Sequence, residues 1–175
     1  FGQTVVVQGL GLLGLYGAAL ARARGAARVI GVDRVASRRQ RATRFGADLA
    51  VEPGEAAAAA RGADTVIEVC GDPSVLRDGV DWLRAGGRYV IAGLVNPAAM
   101  VTLDANIVLR KCLTLVGVHN YHPRHLPQAL AFVVGNRTRF PFAELVDGRY
   151  SLDQVGRIAP DRKSTRLNSS HSLPS

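Results

Sequence analysis

Short apolar runs rich in β-branched residues alternate along the chain with longer stretches in which apolar residues recur every three to four positions. The short runs predict strands and the longer stretches predict helices, because the two structures repeat their side chains at about 2 and about 3.6 residues. Six strands are predicted, at 4–8, 28–32, 49–51, 64–69, 88–92 and 113–118. Six helices are predicted, at 12–24, 37–45, 54–61, 72–85, 104–111 and 126–134.

The alternation of strands and helices indicates the fold class. Strands that read as continuous apolar runs are typical of a parallel sheet covered by helices on both faces, with right-handed crossovers. We therefore predict an α/β fold, a Rossmann doubly wound sheet of six parallel strands in the order 3-2-1-4-5-6. A ligand of such a sheet binds outside the carboxyl ends of the strands, where the order reverses between the first and fourth strands.

Capping residues predict where several helices begin and end. Gly25 is expected just after the first helix, and Ser37 is the expected N-cap of the second. Asp72 and Pro73 pair a capping acid with a proline at the first helical position of the fourth helix. Gly86 is expected to end that helix.

The first strand passes directly into a glycine-rich turn, Gly9-x-Gly11-x-x-Gly14, that opens the first helix. Gly9 permits a sharp turn, Gly11 lets a pyrophosphate approach the backbone, and Gly14 lets the helix lie close to the strand. The N–H groups of the first helical turn, at Leu12 and Leu13, would face the phosphates and add the helix dipole. Glycines that serve only a tight strand-to-helix turn are the alternative.

Asp33 ends the second strand, 19 residues after Gly14, where a ribose 2′-hydroxyl needs an acceptor. Its carboxylate would repel the 2′-phosphate of NADP, so NAD is the expected cofactor. Arg34 and Arg38 lie close by in the sequence, and a guanidinium can accommodate a 2′-phosphate. We expect the carboxylate to dominate, because the arginine side chains can turn towards solvent.

The 175 residues are 47% apolar and 21% charged, which is typical of a soluble globular domain, and no apolar run is long enough to span a bilayer. Residues 161–175 contribute +2 of the net charge of +8, and the remainder forms no long basic run. A nucleic-acid partner is therefore not expected. Cys70 and Cys112 lie far apart within apolar runs, which predicts reduced core thiols in a cytoplasmic protein.

The composition changes abruptly near the carboxyl end. We expect a dinucleotide-binding domain over residues 1–160 and a tail over 161–175 that has five serines and no hydrophobic period. The tail resembles translated sequencing-adapter read-through, and a native disordered tail is the alternative. The chain has neither an initiating Met nor a signal peptide, so the domain is expected to be incomplete at both ends.

Five motifs make residues 2–159 resemble the cofactor domain of the zinc-type medium-chain alcohol dehydrogenases. They are the segments 2–14, 44–48, 64–71, 83–93 and 110–117, in the order and at the spacing of that family. The Tyr-x-x-x-Lys pair of the short-chain dehydrogenases is absent from the sequence. Within the medium-chain family, the segment 117–121 is similar to a subgroup associated with phosphonate catabolism.

The resemblance implies cofactor contacts at the ends of several strands. The pyrophosphate would be lined by Gly9, Gly11, Leu12, Leu13 and Gly14, and the adenosine ribose by Asp33, Arg34 and Arg38. Cys70 and Gly71 would border the ribose and the nicotinamide side, and the nicotinamide would be held by Ala92, Gly93, Leu94, Val118 and Asn120. Ordinary packing at strand ends is the alternative for the last five residues.

The resemblance also implies an activity, which is hydride transfer between an alcohol or aldehyde and the nicotinamide of NAD. The family's zinc ligands precede the cofactor domain, so we expect this chain to bind NAD and to be inactive by itself. Homodimerisation through the edge of the sixth strand is a further expectation. An NAD-sensing module without chemistry and a zinc-free quinone reductase of the same superfamily are the alternatives.

Three histidines recur at intervals of three in the segment from His119 through His122 to His125, which is one pattern of a metal site. Pro123 disfavours a single helix that carries all three, because proline removes a backbone N–H. Solvent-facing histidines are the preferred interpretation, and no metal site is predicted within this chain. The arginines that follow Asp33 are likewise interpreted as a solvated helix face with one contact to the adenosine side.

Overall fold

The computed structural model describes residues 2–97, 99–146, 148 and 150–154. The described residues form two compact units, which divide between residues 142 and 143. The first unit contains the sheet, and the described residues of the second include the short 3₁₀ helix Leu152–Gln154. The predicted domain boundary at residue 160 and the predicted tail over 161–175 lie outside the described residues and remain predictions.

The first unit alternates strands and helices along the chain. Its strands are β1 (Thr4–Gln8), β2 (Arg28–Val32), β3 (Leu49–Val51), β4 (Ala63–Glu68), β5 (Leu83–Ile91) and β6 (Thr114–Gly117). Its helices are α1 (Leu12–Ala23), α2 (Ala36–Arg44), α3 (Pro53–Ala60), α4 (Val75–Trp82), α5 (Ala105–Arg110) and α6 (His125–Gly135). None of the helices in the described part of the chain is both long enough and apolar enough to cross a bilayer.

The six strands form one parallel sheet in the order β3-β2-β1-β4-β5-β6. This confirms the predicted fold class and strand order. At the centre, Gln8 of β1 is aligned with Val32 of β2 on one side and with Glu68 of β4 on the other. The carboxyl ends of these three strands therefore lie side by side at the point where the strand order reverses.

A cluster of apolar side chains joins the central strands to α4. Val6, Ile30 and Val66 come from β1, β2 and β4, and they cluster with Leu76 and Val80 of α4. The three strand residues are β-branched and fully buried, as suits a pleated surface covered by a helix. Burying one such side chain stabilises the fold by about 1.5–3 kcal/mol, so this cluster holds α4 against the sheet.

A buried polar network links β1, β5 and α4 within the same core. The Tyr89 hydroxyl donates to Gln8 Oε1 at 2.6 Å, and Gln8 Nε2 donates to the Val75 carbonyl oxygen at 2.9 Å. Tyr89 is fully buried and Gln8 nearly so, and burial raises the pKa of Tyr89. An unpaired buried amide would be costly, so these two hydrogen bonds fix how α4 sits on the two strands.

The predicted start of the fourth helix is wrong by three residues. α4 begins at Val75 rather than near Asp72. Asp72 Oδ1 instead accepts hydrogen bonds from the Ser74 N–H at 3.0 Å and from the Ser74 hydroxyl at 2.7 Å. The carboxylate therefore forms a local turn before the helix and does not cap the helix itself.

The predicted end of the same helix, at residue 85, is also wrong. α4 ends at Trp82, because Leu83 is extended and already pairs with Ala63 of β4. The pairing then jumps to Thr65 with Arg88, so residues 84–87 form a bulge opposite a single residue of β4. β5 is accordingly longer than the predicted strand 88–92.

The predicted N-cap of α2 is wrong as well. α2 begins at Ala36 with Val35 as its cap, so Ser37 lies within the first turn. The Val35 N–H donates to Asp33 Oδ1 at 2.8 Å, and the Val35 carbonyl oxygen accepts hydrogen bonds from the N–H groups of Arg38 and Arg39. A carboxylate outside the helix thus fixes its start, which sequence spacing does not reveal.

Cys70 and Cys112 are free thiols, but both residues are exposed and the prediction of core positions is wrong. Cys70 follows the carboxyl end of β4, and Cys112 lies in the turn between α5 and β6 with a φ of 51°. Their apolar neighbours in the sequence belong to the strands. The cysteines themselves occupy the turns at the strand ends, where a side chain faces solvent.

Lys111, the residue that follows α5, contacts the carboxyl end of α4. Its ammonium group donates to the carbonyl oxygens of Asp81 and Leu83 at 2.8 and 2.9 Å. The last carbonyls of a helix have no partner within the helix, and the helix dipole favours a positive charge beside them. Lys111 therefore satisfies these carbonyls where the chain turns directly from α4 into β5.

We predict that Lys111→Met lowers the free energy of unfolding by about 1–2 kcal/mol, because hydrogen bonds from a charged group are lost at a helix end. Denaturant unfolding of the chain measures this change. Arg110→Met is the matched control, since it removes the same charge from the neighbouring exposed side chain. Equal effects of the two substitutions would show that net charge, and not the hydrogen bonds of Lys111, causes the change.

Candidate functional site

The turn between β1 and α1 has the predicted geometry. Gly9 has a φ of +95°, which side-chain-bearing residues rarely adopt, and its N–H donates to the Val32 carbonyl oxygen at 2.8 Å. A Cβ on Gly14 would overlap the carbonyl oxygen of Gly9, so the helix approaches the turn as closely as glycine allows. A Cβ on Gly11 would meet only open space. The turn is therefore tightly packed at Gly9 and Gly14 and open at Gly11.

The amino end of α1 follows this open position. The Leu12 and Leu13 side chains are exposed, and within the described residues no side chain caps the helix and no acid occupies its first turn. The first N–H groups of a helix lack partners in the helix, and the dipole makes this end positive. The amino end of α1 can therefore bind an anion such as a phosphate.

Asp33, directly after β2, is held in place by the two loops beside it. Its Oδ2 accepts a hydrogen bond from the Leu10 N–H at 2.7 Å, and its Oδ1 accepts one from the Val35 N–H at 2.8 Å. The residue is only 8% exposed, and a guanidinium nitrogen of Arg38 lies 3.7 Å from Oδ2. Each carboxylate oxygen can accept more than one hydrogen bond, so the fixed carboxylate can still bind a ligand hydroxyl.

The arginines after Asp33 have three different surroundings. Arg39, which was not among the predicted site residues, donates to the carbonyl oxygens of Asp33 and Arg34, each at 2.9 Å, and stabilises this loop. The half-exposed Arg38 lies near the Asp33 carboxylate. The third arginine, Arg34, acts on Asp72 in the loop after β4. The pKa of the Asp72 carboxyl is lowered mainly by the hydrogen bond from the Ser74 hydroxyl and, more weakly, by the Arg34 guanidinium.

Glu68, the last residue of β4, lies at the same end of the sheet and was not among the predicted site residues. It is fully buried, and its Oε1 accepts hydrogen bonds from the N–H groups of Cys70 and Gly71 at 2.8 and 2.6 Å. Its Oε2 accepts one from the Gly93 N–H at 2.9 Å. A charged residue within the apolar run 64–69 was the signal that could have identified it.

The loops after β1 and β4 are in direct contact at Cys70. A Cβ on Gly9 would lie 2.7 Å from Cys70 Cβ, so the two backbones pass very close to each other. Cys70 is exposed, yet desolvation of its thiol by neighbouring protein atoms, and then the Glu68 carboxylate, raise its pKa to about 12. A raised pKa disfavours the thiolate, which is the form of cysteine that acts as a nucleophile.

A shallow depression lies at the carboxyl ends of β5 and β6. Three residues predicted on the nicotinamide side, Ala92, Leu94 and Val118, line it together with neighbours that include Val95 and His119. Gly93 is turned towards Glu68, as described above, and Asn120 has a φ of 55° in the loop after β6. The structure thus brings three of these five predicted residues to one surface.

The three histidines do not form a metal centre. The rings of His122 and His125 are 6.4 Å apart and edge to face, and His125 Nδ1 lies 3.2 Å from Gln128 Oε1. Within the described part of the chain, no three His, Cys, Asp or Glu side chains are arranged to hold a metal ion.

This sheet and its glycine turn define a Rossmann-type domain, and comparison with known proteins identifies the family. The family of zinc-binding dehydrogenases matches residues 13–135, so the chain belongs to that family. The chain is 38% identical over 126 residues to an L-threonine 3-dehydrogenase of Saccharopolyspora erythraea. The aligned segment covers 67% of this chain and 36% of that protein. The family predicted from the five motifs is therefore confirmed.

Solved structures support the same assignment. An alcohol dehydrogenase of Thermotoga maritima superposes with a TM-score of 0.82 at 30% identity, covering 89% of this chain and 46% of that one. A zinc-binding dehydrogenase of Sinorhizobium meliloti 1021 in complex with NADP superposes with a TM-score of 0.71 at 29% identity. The superposition covers 77% of this chain and 42% of that one. The chain thus spans less than half the length of these relatives.

We predict that Gly14→Ala lowers the free energy of unfolding by about 1–3 kcal/mol, because the new methyl group overlaps the Gly9 carbonyl oxygen and forces α1 away from the turn. Gly17→Ala is the control on the same helix. Its Cβ would meet only Val7 Cγ1, at 4.0 Å, so helix propensity should leave stability equal or higher by up to about 1 kcal/mol. Chemical denaturation measures both, and equal tolerance of the two substitutions would contradict the close-approach argument.

Proposed function

We propose that this chain is the cofactor-binding part of an NAD-dependent, zinc-type medium-chain dehydrogenase that interconverts an alcohol and an aldehyde or related carbonyl compound. The observation that carries the proposal is the β1–α1 turn, where the open Gly11 and the uncapped amino end of α1 lie beside a fixed carboxylate, Asp33. When bound, the nicotinamide supplies the carbon that accepts or donates the hydride.

Different residues of this chain bind different parts of the cofactor. The N–H groups of Leu12 and Leu13 bind the pyrophosphate at the amino end of α1, and Gly11 leaves room for it. Asp33 accepts hydrogen bonds from the adenosine ribose. Ala92, Leu94 and Val118 line the depression at the ends of β5 and β6 that receives the nicotinamide. Gly93 and Asn120, in the loops after these strands, also contact the nicotinamide, and Cys70 and Gly71 border the ribose beside it.

No three metal-ligating side chains lie together among the described residues. We propose that the zinc ligands and most of the substrate pocket lie in another part of the protein. The relatives, which are more than twice the length matched here, support this division. Their names, which include dehydrogenases of L-threonine and of 5-exo-hydroxycamphor, favour an alcohol substrate over a quinone or a purely sensory role.

We also propose that the protein is cytoplasmic and works as a homodimer paired through β6. β6 is one of the two edge strands of the sheet, with Leu115 38% exposed, and α6 exposes Leu126, Leu130 and Val134. An apolar strand edge in water is an open template for pairing with a second copy. The two free thiols agree with a reducing compartment.

The position of the Asp33 carboxylate predicts that the chain prefers NAD over NADP. NAD should bind at least about tenfold more tightly than NADP, since two like charges at about 4 Å repel by roughly 4 kcal/mol at an effective dielectric of about 20 before screening. Asp33→Asn should narrow this ratio, because the charge is lost while one acceptor for the Leu10 N–H remains. Titration of the chain with each cofactor measures the ratio.

Two arginine substitutions complete the cofactor experiment. Arg38→Met should widen the ratio, because it removes the guanidinium that lies 3.7 Å from the Asp33 carboxylate. Arg41→Met removes the same charge from the exposed face of α2 and should leave the ratio unchanged. A preference of the unaltered chain for NADP would mean that the arginines outweigh Asp33. The NADP-bound relative makes this comparison informative.

The dimer is tested by two matched substitutions on opposite edges of the sheet. Leu115→Lys on β6 should convert the chain to a monomer, because a charged side chain opposes pairing of the edge. Leu49→Lys on β3, where the leucine is 37% exposed, should leave the dimer intact. Sedimentation equilibrium over a range of concentrations measures the mass. A monomer in the unaltered chain at every concentration would contradict the proposal.

A further inference from the structure

The buried carboxylate of Glu68 connects two loops that the proposed function places on the cofactor. Its Oε1 binds the N–H groups of Cys70 and Gly71 after β4, and its Oε2 binds the N–H of Gly93 after β5. The Gly93 N–H also donates to the Glu68 carbonyl oxygen at 3.1 Å. One residue therefore holds three backbone positions, all of which face the same end of the sheet.

The surroundings of this carboxylate are closely packed. Glu68 is fully buried, and in the sheet it is aligned with Gln8 of β1, at the reversal of strand order. A Cβ on Gly93 would collide with Glu68 Oε1 and lie 2.8 Å from the Gly71 nitrogen, so only glycine leaves room for the carboxylate. A buried charge is tolerated only when it is hydrogen-bonded in this way, and each bond is then strong.

We infer that Glu68 is a positioning residue for the dinucleotide, fixing the Cys70, Gly71 and Gly93 backbones in the arrangement that the cofactor requires. The inference rests on the proposed function. Glu68 itself is fully buried and acts on the cofactor only through these backbones. When the loops of a site are already ordered in the free protein, binding does not have to supply the free energy of ordering them, and the affinity is higher.

Glu68→Gln separates the two halves of this arrangement. The amide has one oxygen, and two short hydrogen bonds on the Cys70 and Gly71 side will hold it there. The NH₂ group then faces the Gly93 N–H, so two donors oppose each other and that loop is displaced. Glutamine therefore keeps the loop after β4 in place and weakens the hold on the loop after β5, where the Gly93 N–H retains only its bond to the backbone carbonyl oxygen of residue 68.

The experiment compares two probes, NADH and adenosine diphosphate ribose, which lacks the nicotinamide. If Gly93 lies at the nicotinamide, Glu68→Gln should weaken NADH binding about tenfold and change the affinity for adenosine diphosphate ribose by less than about twofold. Amide hydrogen exchange of the free chain should accelerate at Gly93, while Cys70 and Gly71 stay protected.

Tyr89→Phe is the matched control for a general loss of stability. It removes the buried hydrogen bond to Gln8, which joins β5 to β1 across β4. The N–H groups of Cys70, Gly71 and Gly93 take no part in that bond, so the ratio of the two affinities should not change. Glu68→Asp shortens the side chain but keeps both oxygens, and it should restore NADH binding in part.

Each outcome has a defined meaning. Loss of NADH affinity alone in Glu68→Gln, with faster exchange at Gly93, supports the positioning role. Equal weakening of both probes, or unchanged NADH binding despite faster exchange at Gly93, overturns it and leaves Glu68 with a purely structural role. Failure of the unaltered, folded chain to bind either probe would overturn the proposed function itself, and this role of Glu68 with it.

Discussion

The close approach of α1 to the end of β1 is the constraint on which the site depends. The contact between Gly14 and the Gly9 carbonyl oxygen leaves no room for a side chain, and it directs the amino end of the helix towards the switch in strand order. A wider approach would move the free N–H groups of the first turn away from Asp33. The helix dipole and the carboxylate could then no longer act on one ligand.

Backbone N–H groups in the loops create a second constraint, because each needs a partner when it is withdrawn from water. Two carboxylates at strand ends supply those partners. Asp33 binds the N–H groups of Leu10 and Val35, and Glu68 binds those of three residues after β4 and β5. Loops that would otherwise be free to move are thereby fixed to the rigid sheet, as precise cofactor binding requires.

The family assignment can be compared with the residues that this chain contains. The chain belongs to the zinc-binding dehydrogenases and spans less than half the length of its relatives. Within its described residues, no three metal-ligating side chains lie together. Under the function we propose, this domain positions the cofactor mainly through backbone groups, and the substrate is held in another part of the protein.

The sequence by itself determined the presence of the six strands and the glycine turn, because these follow from local apolar periodicity and from positions such as Gly9 and Gly14 where only glycine fits. Their parallel order followed from the general rules for alternating strands and helices. The early start of β5, at Leu83, did not follow from either. Only the tertiary structure decided the ends of α4, the start of α2 and the exposure of Cys70. It also gave Glu68 its partners. These features depend on hydrogen bonds and contacts between segments distant in the chain, whose energies no local pattern of residues records.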